Sequence, residues 1–303
     1  MTFQFNRNDF GLLSFLTQAR ALTVTQLAAF QKRERQVVRR RLRALSEEGL
    51  IQSDTRAFGK SRGRPEKIIH LTEKGIDLLR SKLPELEDVP NNWLDAPSHH
   101  SLDHQLLVNW FRIHLNAVGE IFSQLSVRVI SPLFPLPGRE PPAANGFIDP
   151  LRRKGVKAFA PDLVFSITHN EKKKTLLFFL EADRGTESAA GVSRGKGDIR
   201  KKILNYRQCF QTGEYKSYET ILDCRLNGFR LLFLTTSSTR LGSLCNLVKS
   251  MSSSDFVWLA TVDQMFSAGL SAKIWFRGGK QDTAQESILG SEFARSAPLL
   301  LKE

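Results

Sequence analysis

The chain has 303 residues, of which 41% are hydrophobic, so it is long enough for one large folded domain or two ordinary ones. Its 44 Lys and Arg residues outnumber its 31 Asp and Glu residues, and the net charge of +13 favours a polyanionic partner, nucleic acid before acidic lipid. No apolar stretch approaches the roughly 20 residues that cross a bilayer, and the apolar run near the N terminus is too short for a signal peptide. We therefore expect a cytoplasmic protein that does not enter a membrane.

The basic excess is concentrated in the first part of the chain. Residues 1–85 carry 17 Lys and Arg against 9 Asp and Glu, which accounts for +8 of the net charge. Their pattern predicts the order helix, helix, helix, strand, strand, helix. The first helix covers Phe10 to Gln18, the second starts at a capping box formed by Thr23 and Gln26, and the third runs from about Glu34 to Glu48.

The predicted third helix has two chemically different faces. At about 100° per residue, Val38, Leu42 and Leu45 share one face. The opposite face carries one amide and three guanidinium groups, those of Gln36, Arg39, Arg40 and Arg43. Seven Lys and Arg against one Glu between Lys32 and Arg43 exceed what a merely solvated face requires. The pattern therefore predicts a recognition helix that contacts DNA.

A basic turn follows this helix, between the predicted strands Leu50 to Gln52 and Lys67 to Leu71. The run Gly63-Arg64-Pro65 and the later run Leu71-Thr-Glu-Lys-Gly75 resemble the winged-helix DNA-binding family over residues 8–85. The resemblance implies that Gln36, Arg39, Arg40 and Arg43 face the major groove, where such side chains read guanine and adenine edges. It also implies salt-dependent phosphate contacts by Lys60, Arg62, Arg64 and Lys67.

The segment 86–100 is acidic and contains prolines, so we predict that it links residues 1–85 to a second domain at 101–277. A helix from Leu102 to Phe122 opens that domain. For the three histidines before or within its first turns, packing or phosphate contact is favoured over zinc, because no third ligand of matching quality is nearby. These histidines are His99, His100 and His104.

Three acidic residues accompany two apolar runs that we predict to be buried strands, Phe159 to Thr168 and Lys174 to Asp183. Glu181 and Asp183 are two residues apart and so point to one face of their strand, and pairing of the strands would bring Asp162 beside them. Carboxylates placed in this way repel one another unless a cation lies between them, and hard oxygen ligands suit Mg²⁺ or Mn²⁺. The alternative is that these acids simply end core strands in solvent.

Pro161-Asp162 followed by Glu181-Ala182-Asp183 resembles the PD-(D/E)xK nuclease superfamily, with Asp183 where the signature has a lysine. In that superfamily the lysine helps to orient the attacking water. The helix that follows offers Lys202, which flanks a predicted apolar stripe of Ile199, Ile203, Tyr206 and Phe210. Its displaced position resembles the migrated-lysine variants of the superfamily. A solvated basic face around Lys202 is the alternative.

A winged helix, then Pro-Asp, Glu-x-Asp-Arg-Gly-Thr and Lys-x-x-x-Tyr, is similar to the replication-relaxation proteins and to the MOBC class of plasmid relaxases, over roughly residues 8–260. The fold expected is α/β (α+β overall): an N-terminal winged helix-turn-helix, then a restriction-endonuclease-like α/β domain with a mixed central sheet, and an irregular tail at 278–303 with little core potential. The resemblance implies metal-dependent nicking of plasmid or mobile-element DNA without a tyrosine-linked intermediate. Its catalytic residues would be Asp162, Glu181, Asp183 and Lys202, the first three also binding the metal.

A second interpretation stays open at this point. The aspartate at position 183, in place of a lysine, favours a non-catalytic regulator or origin-binding accessory factor, whose nuclease-like domain serves dimerisation or partner docking. Under either interpretation the principal partner is double-stranded DNA. A homodimer and contacts with coupling or replication proteins are further partners that the sequence leaves open.

Overall fold

The computed structural model of the chain describes residues 4–55, 66–87, 89–130, 161–185 and 199–299. Within these ranges the helices and strands form an α/β fold, as predicted, with one three-stranded and one six-stranded sheet. None of the helices in the described ranges is both long enough and apolar enough to cross a membrane.

Residues 4–94, called here the N-terminal unit, combine helices with the small sheet. Its elements, in chain order, are α1 (Arg7–Ala19), β1 (Leu22–Thr23), α2 (Val24–Gln31), α3 (Arg35–Glu47), β2 (Ile51–Thr55), β3 (Lys67–Leu71), α4 (Glu73–Arg80) and α5 (Asn91–Leu94). The sheet has the order β1-β3-β2, and both pairs are antiparallel. The predicted succession of three helices, two strands and a helix is present, with the short β1 and α5 added to it.

Polar side chains define where the first helices begin. Asn6 and Asp9 form a capping box at α1, and Thr23 and Gln26 form the predicted one at α2. In contrast, α3 begins after Glu34 without a side-chain hydrogen bond to its free N–H groups. The start of α3 is therefore fixed by packing of its apolar face rather than by a cap.

The first half of the predicted linker at 86–100 packs onto the N-terminal unit. Leu86, Val89 and Leu94 are at most 2% exposed and lie in the same hydrophobic cluster as the apolar faces of α1, α3 and α4. The acids and prolines around them were the basis for predicting a linker at 86–100. The apolar side chains between those residues are instead spaced so that they reach the core.

The long helix α6 (His99–Ile121) contributes to two hydrophobic cores. Ile113 belongs to the core of the N-terminal unit, whereas Phe111 and Leu115 belong to a core beneath the six-stranded sheet. Trp110, partly buried, packs against both cores. One helix therefore fixes the position of the N-terminal unit relative to the large sheet.

Buried hydrogen bonds hold α6 to the N-terminal unit. Asn109 Nδ2 donates to the carbonyl oxygens of Ala19 and Ala21, at 3.0 and 2.7 Å. Gln26 Nε2 donates to the carbonyl oxygen of Leu106 at 2.7 Å. These bonds satisfy polar groups that would otherwise be buried without a partner, so separation of α6 from this unit would be costly.

The sheet unit comprises α6 and the described residues after it. Its further elements, in chain order, are β4 (Leu125–Ile130), β5 (Leu163–His169), β6 (Lys174–Asp183), α7 (Ile199–Thr212), α8 (Glu219–Leu222), β7 (Phe229–Thr235), α9 (Ser238–Lys249), β8 (Val257–Thr261), α10 (Val262–Ala268) and β9 (Phe276–Arg277). The strand order is β4-β5-β6-β7-β8-β9. β6, β7 and β8 are parallel and the other neighbours antiparallel, so the sheet is mixed, as predicted.

Strand β6 lies inside this layered structure. Every residue from 177 to 183 is buried, as expected of a parallel strand covered on both faces. Phe178 and Leu180 point into the core that α6 and α10 cover, whereas Phe179 points into the core that α7 and α9 cover. By strand alternation, Glu181 and Asp183 face α7 and α9 together, as predicted.

The predicted apolar stripe of α7 is wrong at its last position. Tyr206 is buried, but Phe210 is 47% exposed and Cys209 is buried in its place. Phe210 stacks instead on Tyr215, with ring centroids 5.6 Å apart. The turn that follows α7 brings Tyr215 back over this end of the helix, which the spacing within α7 did not reveal.

The described residues after β9, 278–299, are irregular, as expected, but the expectation that they contribute little to the core was wrong. Ile288 is fully buried in the core beneath α6, and the Phe293 ring meets that of Phe122 edge-on at 5.5 Å. A Cβ atom at Gly279 would lie 2.2 Å from the carbonyl oxygen of Cys245, so the tail backbone lies directly on α9. The tail therefore closes the sheet unit.

Candidate functional site

Helix α3 presents its basic side chains to solvent. Val38, Leu42 and Leu45 are buried in the core of the N-terminal unit. The four side chains assigned to DNA are all exposed, namely Gln36, Arg39, Arg40 and Arg43. The two faces therefore divide as the helical period predicted.

The exposed arginines of α3 lie on two different flanks. Arg39 and Arg43 line a cavity of about 700 Å³ between α3 and the small sheet, to which Lys67 also contributes. Arg40 lines a separate hollow on the side of α1, beside Arg41. The other three predicted phosphate-binding residues, Lys60, Arg62 and Arg64, lie outside the described residues.

Arg41 differs in role from its neighbours on α3. Its Nε donates to Oδ1 of Asp9 at 2.6 Å, and Asp9 is 1% exposed. This hydrogen bond raises the pKa of Arg41, which stays charged. Arg41 therefore fastens α3 to the start of α1.

Backbone pairing places Asp162 beside the end of β6, as predicted. The N–H of Asp162 donates to the carbonyl oxygen of Leu180 at 3.0 Å, just ahead of β5. Asp162 Oδ2 accepts the N–H of Ala182 at 2.7 Å. The carboxylate of Asp162 is thus held at the residue between Glu181 and Asp183.

Glu181 is buried and contacts two side chains of α7. Its Oε1 accepts from the hydroxyl of Tyr206 at 2.7 Å, and its Oε2 accepts from Nζ of Lys202 at 3.0 Å. The pKa of Glu181 is raised to about 7: burial and then repulsion by Asp162 raise it, whereas Lys202 and Tyr206 lower it. Lys202 therefore leans towards the acids, as predicted, from its place on the helix.

His104 of α6 completes this cluster of charged groups. Its Nε2 donates to Oδ1 of Asp162 at 2.8 Å. That hydrogen bond raises the pKa of His104, and Lys202 and Glu181 are close enough to act on it in opposite directions. Two acids and two bases thus meet where β5 begins and β6 ends.

Asp183 has different partners from the other two acids. Its Oδ2 accepts from Nε of Arg240 at 2.6 Å, and its Oδ1 accepts from another nitrogen of the same guanidinium at 3.2 Å. The N–H of Gly185 also donates to Oδ1, at 3.1 Å. Asp183 therefore fastens the end of β6 to the first turn of α9.

A family model matches residues 13–223, which include α3 and the cluster of His104, Asp162, Glu181 and Lys202. The chain belongs to the replication-relaxation family. Membership of this family suggests a role in the processing of plasmid or replicating DNA. No curated protein and no solved structure matches the chain significantly.

The three acids of this replication-relaxation protein do not share one set of partners. Within the described residues, no group of three or more His, Cys, Asp or Glu side chains is arranged to hold a metal ion. Asp162 lies just ahead of β5 and Glu181 on the neighbouring β6, and Mg²⁺ is often held by one or two carboxylates together with water and substrate phosphate. Asp183 is bound by the guanidinium of Arg240. A cation bound by these acids stays a prediction.

Arg240 was not among the predicted site residues, and His104 was predicted to pack or to contact phosphate rather than to contact the acids. Arg240 follows β7, and its position beside Asp183 depends on the parallel pairing of β6 with β7. His104 reaches Asp162 because α6 covers this end of the sheet. The position of Arg240 after a predicted strand was the one feature of the sequence that could have indicated a place at this edge of the sheet. For His104 the sequence showed only its place in the first turns of a helix.

Proposed function

We propose that the protein binds double-stranded DNA of a plasmid or other mobile element and nicks it by metal-dependent hydrolysis of a phosphodiester bond. The observation that carries the proposal is the meeting of Asp162, Glu181 and Lys202. Two carboxylates, one just ahead of β5 and one on β6, lie beside a lysine that comes from α7, whereas position 183 holds an aspartate. This arrangement supplies the chemical groups of a PD-(D/E)xK centre from different positions.

The N-terminal unit would act as a winged helix that binds the duplex. The exposed basic side chains of α3 would enter the major groove. Arg39 and Arg43 on one side of the helix and Arg40 on the other would lie near the two DNA strands that border the groove. Phosphate contacts supply most of the affinity of such surfaces, and base contacts supply the specificity. Arg41, which is bound to Asp9, would support the helix rather than contact bases.

At the acid pair, Asp162 and Glu181 would hold Mg²⁺ or Mn²⁺. Such an ion, when bound, polarises the phosphate and lowers the pKa of attacking water. Lys202 would leave Glu181 and donate to the scissile phosphate or to that water. Tyr206, fully buried, would keep its hydrogen bond to Glu181 and hold that carboxylate in place.

Incubation of supercoiled plasmid carrying the cognate region with the protein and Mn²⁺ tests the nicking proposal. We expect open circles from the wild type and none from Asp162→Asn or Glu181→Gln, which remove a charge with little change of shape. Glu292→Gln, which removes an exposed carboxylate paired with Lys172, is the matched control and should nick normally. Equal nicking by all four proteins would point to a contaminating nuclease and refute the proposal.

One observation favours a second function, that of a non-catalytic regulator or accessory DNA-binding protein. All six carboxylate oxygens of Asp162, Glu181 and Asp183 already accept a hydrogen bond from the protein. In that case these contacts would only stabilise the sheet unit. Specific duplex binding without nicking at any divalent-ion concentration would establish the second function and exclude the first.

A further inference from the structure

Two adjacent residues of α6 pair with charged residues beside the neighbouring ends of β5 and β6. His104 pairs with Asp162 at the start of β5, and Asp103 pairs with Arg184 just after β6, at 2.9 Å. The second pair is partly exposed on both sides. Both contacts join α6 to this edge of the sheet, but only the His104 contact involves one of the candidate acids.

The carboxylate of Asp162 is restrained from two directions. Oδ2 accepts the Ala182 N–H of β6, and Oδ1 accepts Nε2 of His104. With one oxygen bound to the sheet and the other to a helix, the carboxylate plane cannot rotate freely. Each oxygen keeps a second lone pair, so these hydrogen bonds fix the orientation of the group without using all of its capacity to bind.

The position of His104 is itself fixed from the N-terminal unit. Leu102 and Leu106, on either side of it along α6, pack with Ala21 and Ile68 of that unit. The bond from Gln26 to the Leu106 carbonyl is buried as well. Rotation or sliding of α6 would break these contacts, so His104 is presented to Asp162 by a helix that cannot readily move.

We propose that His104 is a positioning residue that orients Asp162 for a divalent cation. The inference rests on the proposed function, because it assigns the cation to Asp162 and Glu181. Carboxylates that bind metals are commonly oriented by hydrogen bonds from outer residues, and loss of such a partner weakens metal binding about 10- to 100-fold. His104 acts through Asp162, so its effect is on affinity for the ion and not on the chemistry of the phosphate.

A purely structural role would give a different result. If His104 only joins α6 to the sheet, its replacement should change Mn²⁺ affinity as little or as much as replacement of Asp103. Asp103 joins the same helix to the sheet from the neighbouring position. Asp103→Asn therefore serves as the matched control. His104→Gln and His104→Asn form a second matched pair: both carry an amide, but only the glutamine amide extends as far as Nε2 of histidine.

The test is titration of each full-length protein with Mn²⁺ alone, with free Mn²⁺ measured by electron paramagnetic resonance, together with thermal unfolding of each variant. We expect His104→Asn to bind Mn²⁺ about 10- to 100-fold more weakly than the wild type. His104→Gln and Asp103→Asn should stay within about threefold of it. The comparison of the glutamine and asparagine variants stands even if one of them unfolds at a lower temperature, because the titration is run below both transitions.

Each outcome decides the matter. Weaker binding by His104→Asn with rescue by His104→Gln supports the positioning role. Equal affinity in the wild type, both His104 variants and Asp103→Asn, with Mn²⁺ binding lost only in Glu181→Gln, overturns this role and leaves the proposed function intact. Equal weakening by His104→Asn and Asp103→Asn assigns His104 only to joining α6 to the sheet. A wild type that binds no Mn²⁺ overturns the proposed metal-dependent function and this inference together.

Discussion

The N-terminal unit and the sheet unit hold their candidate residues in opposite environments. On α3 the four side chains assigned to DNA are exposed, whereas Glu181 and Asp183 are buried and bonded to other side chains. An exposed charge is solvated whether or not a partner is bound, so it adds little to the stability of the fold. A buried charge must be matched by the protein itself. Function and stability should therefore be separable in the first unit and coupled in the second.

The largest expected effect comes from separating Asp183 from Arg240. Their side chains are only 4% and 16% exposed, so Arg240→Leu would leave a buried carboxylate without its counter-ion. We expect a loss of about 3 kcal/mol in the free energy of unfolding, measured with urea. The double variant Asp183→Asn/Arg240→Leu should recover part of the loss, since no charge is left unmatched. A loss below about 0.5 kcal/mol, the size typical of surface changes, would contradict the contrast between the units.

A second large effect concerns the buried histidine of α6. Burial lowers the pKa of His114 to about 4, and no partner accepts from or donates to its Nε2 within the described structure. The unfolded chain therefore binds a proton between pH 6.5 and 4 that the folded chain does not. The stability contributed by His114 is present above about pH 6.5 and is lost as the pH falls towards 4, in total about 3 kcal/mol.

Urea unfolding of the wild type and of His114→Leu across this pH range measures the effect. The variant should be less sensitive to acid by about the same amount, because leucine has no proton to gain. His169→Leu, at a histidine outside α6, serves as the comparison. Parallel pH profiles for the wild type and His114→Leu would show that another group carries the acid sensitivity.

The smallest expected effect on stability belongs to α3. Arg39→Ala removes an exposed guanidinium, and we expect the free energy of unfolding to change by less than about 0.5 kcal/mol. Duplex affinity should nevertheless fall, and the slope of log affinity against log salt concentration should decrease by about 1 if Arg39 contacts a phosphate. Lys216→Ala, which removes an exposed positive charge of the sheet unit, controls for net charge. Equal affinity loss in both variants would mean that overall charge, and not this helix, binds DNA.

The same contrast explains how much the sequence alone could predict. The faces of α3 follow from a helical period that neighbouring residues contain, so exposed Arg39 and buried Leu42 were both predictable. The pairing that brings Asp162 to β6 was predictable because two apolar strands lie close in sequence. Arg240 is 57 residues beyond Asp183, and their contact depends on the order of β6 and β7 in the sheet, which local patterns do not contain.

The packing of connecting segments was the hardest part to predict. Prolines and acids around Leu86 predicted a linker, although three apolar residues there complete a core. The described part of the tail after β9 forms no helix or strand and so shows no period, yet Ile288 lies in the core that α6 and α10 cover. Both segments bury scattered residues whose neighbours show no helical or strand period, so composition alone did not reveal their burial.

Because α6 packs in the cores of both units, it limits how the N-terminal unit could be replaced by recombination. A recombination breakpoint ahead of α6 would take the N-terminal unit away from Asn109, leaving the carbonyl groups of Ala19 and Ala21 without their donor. A chimaera that inherits a new N-terminal unit would therefore need the matching α6 as well. His104 is part of the same helix, so exchange of the N-terminal unit together with α6 would also replace the residue that contacts Asp162.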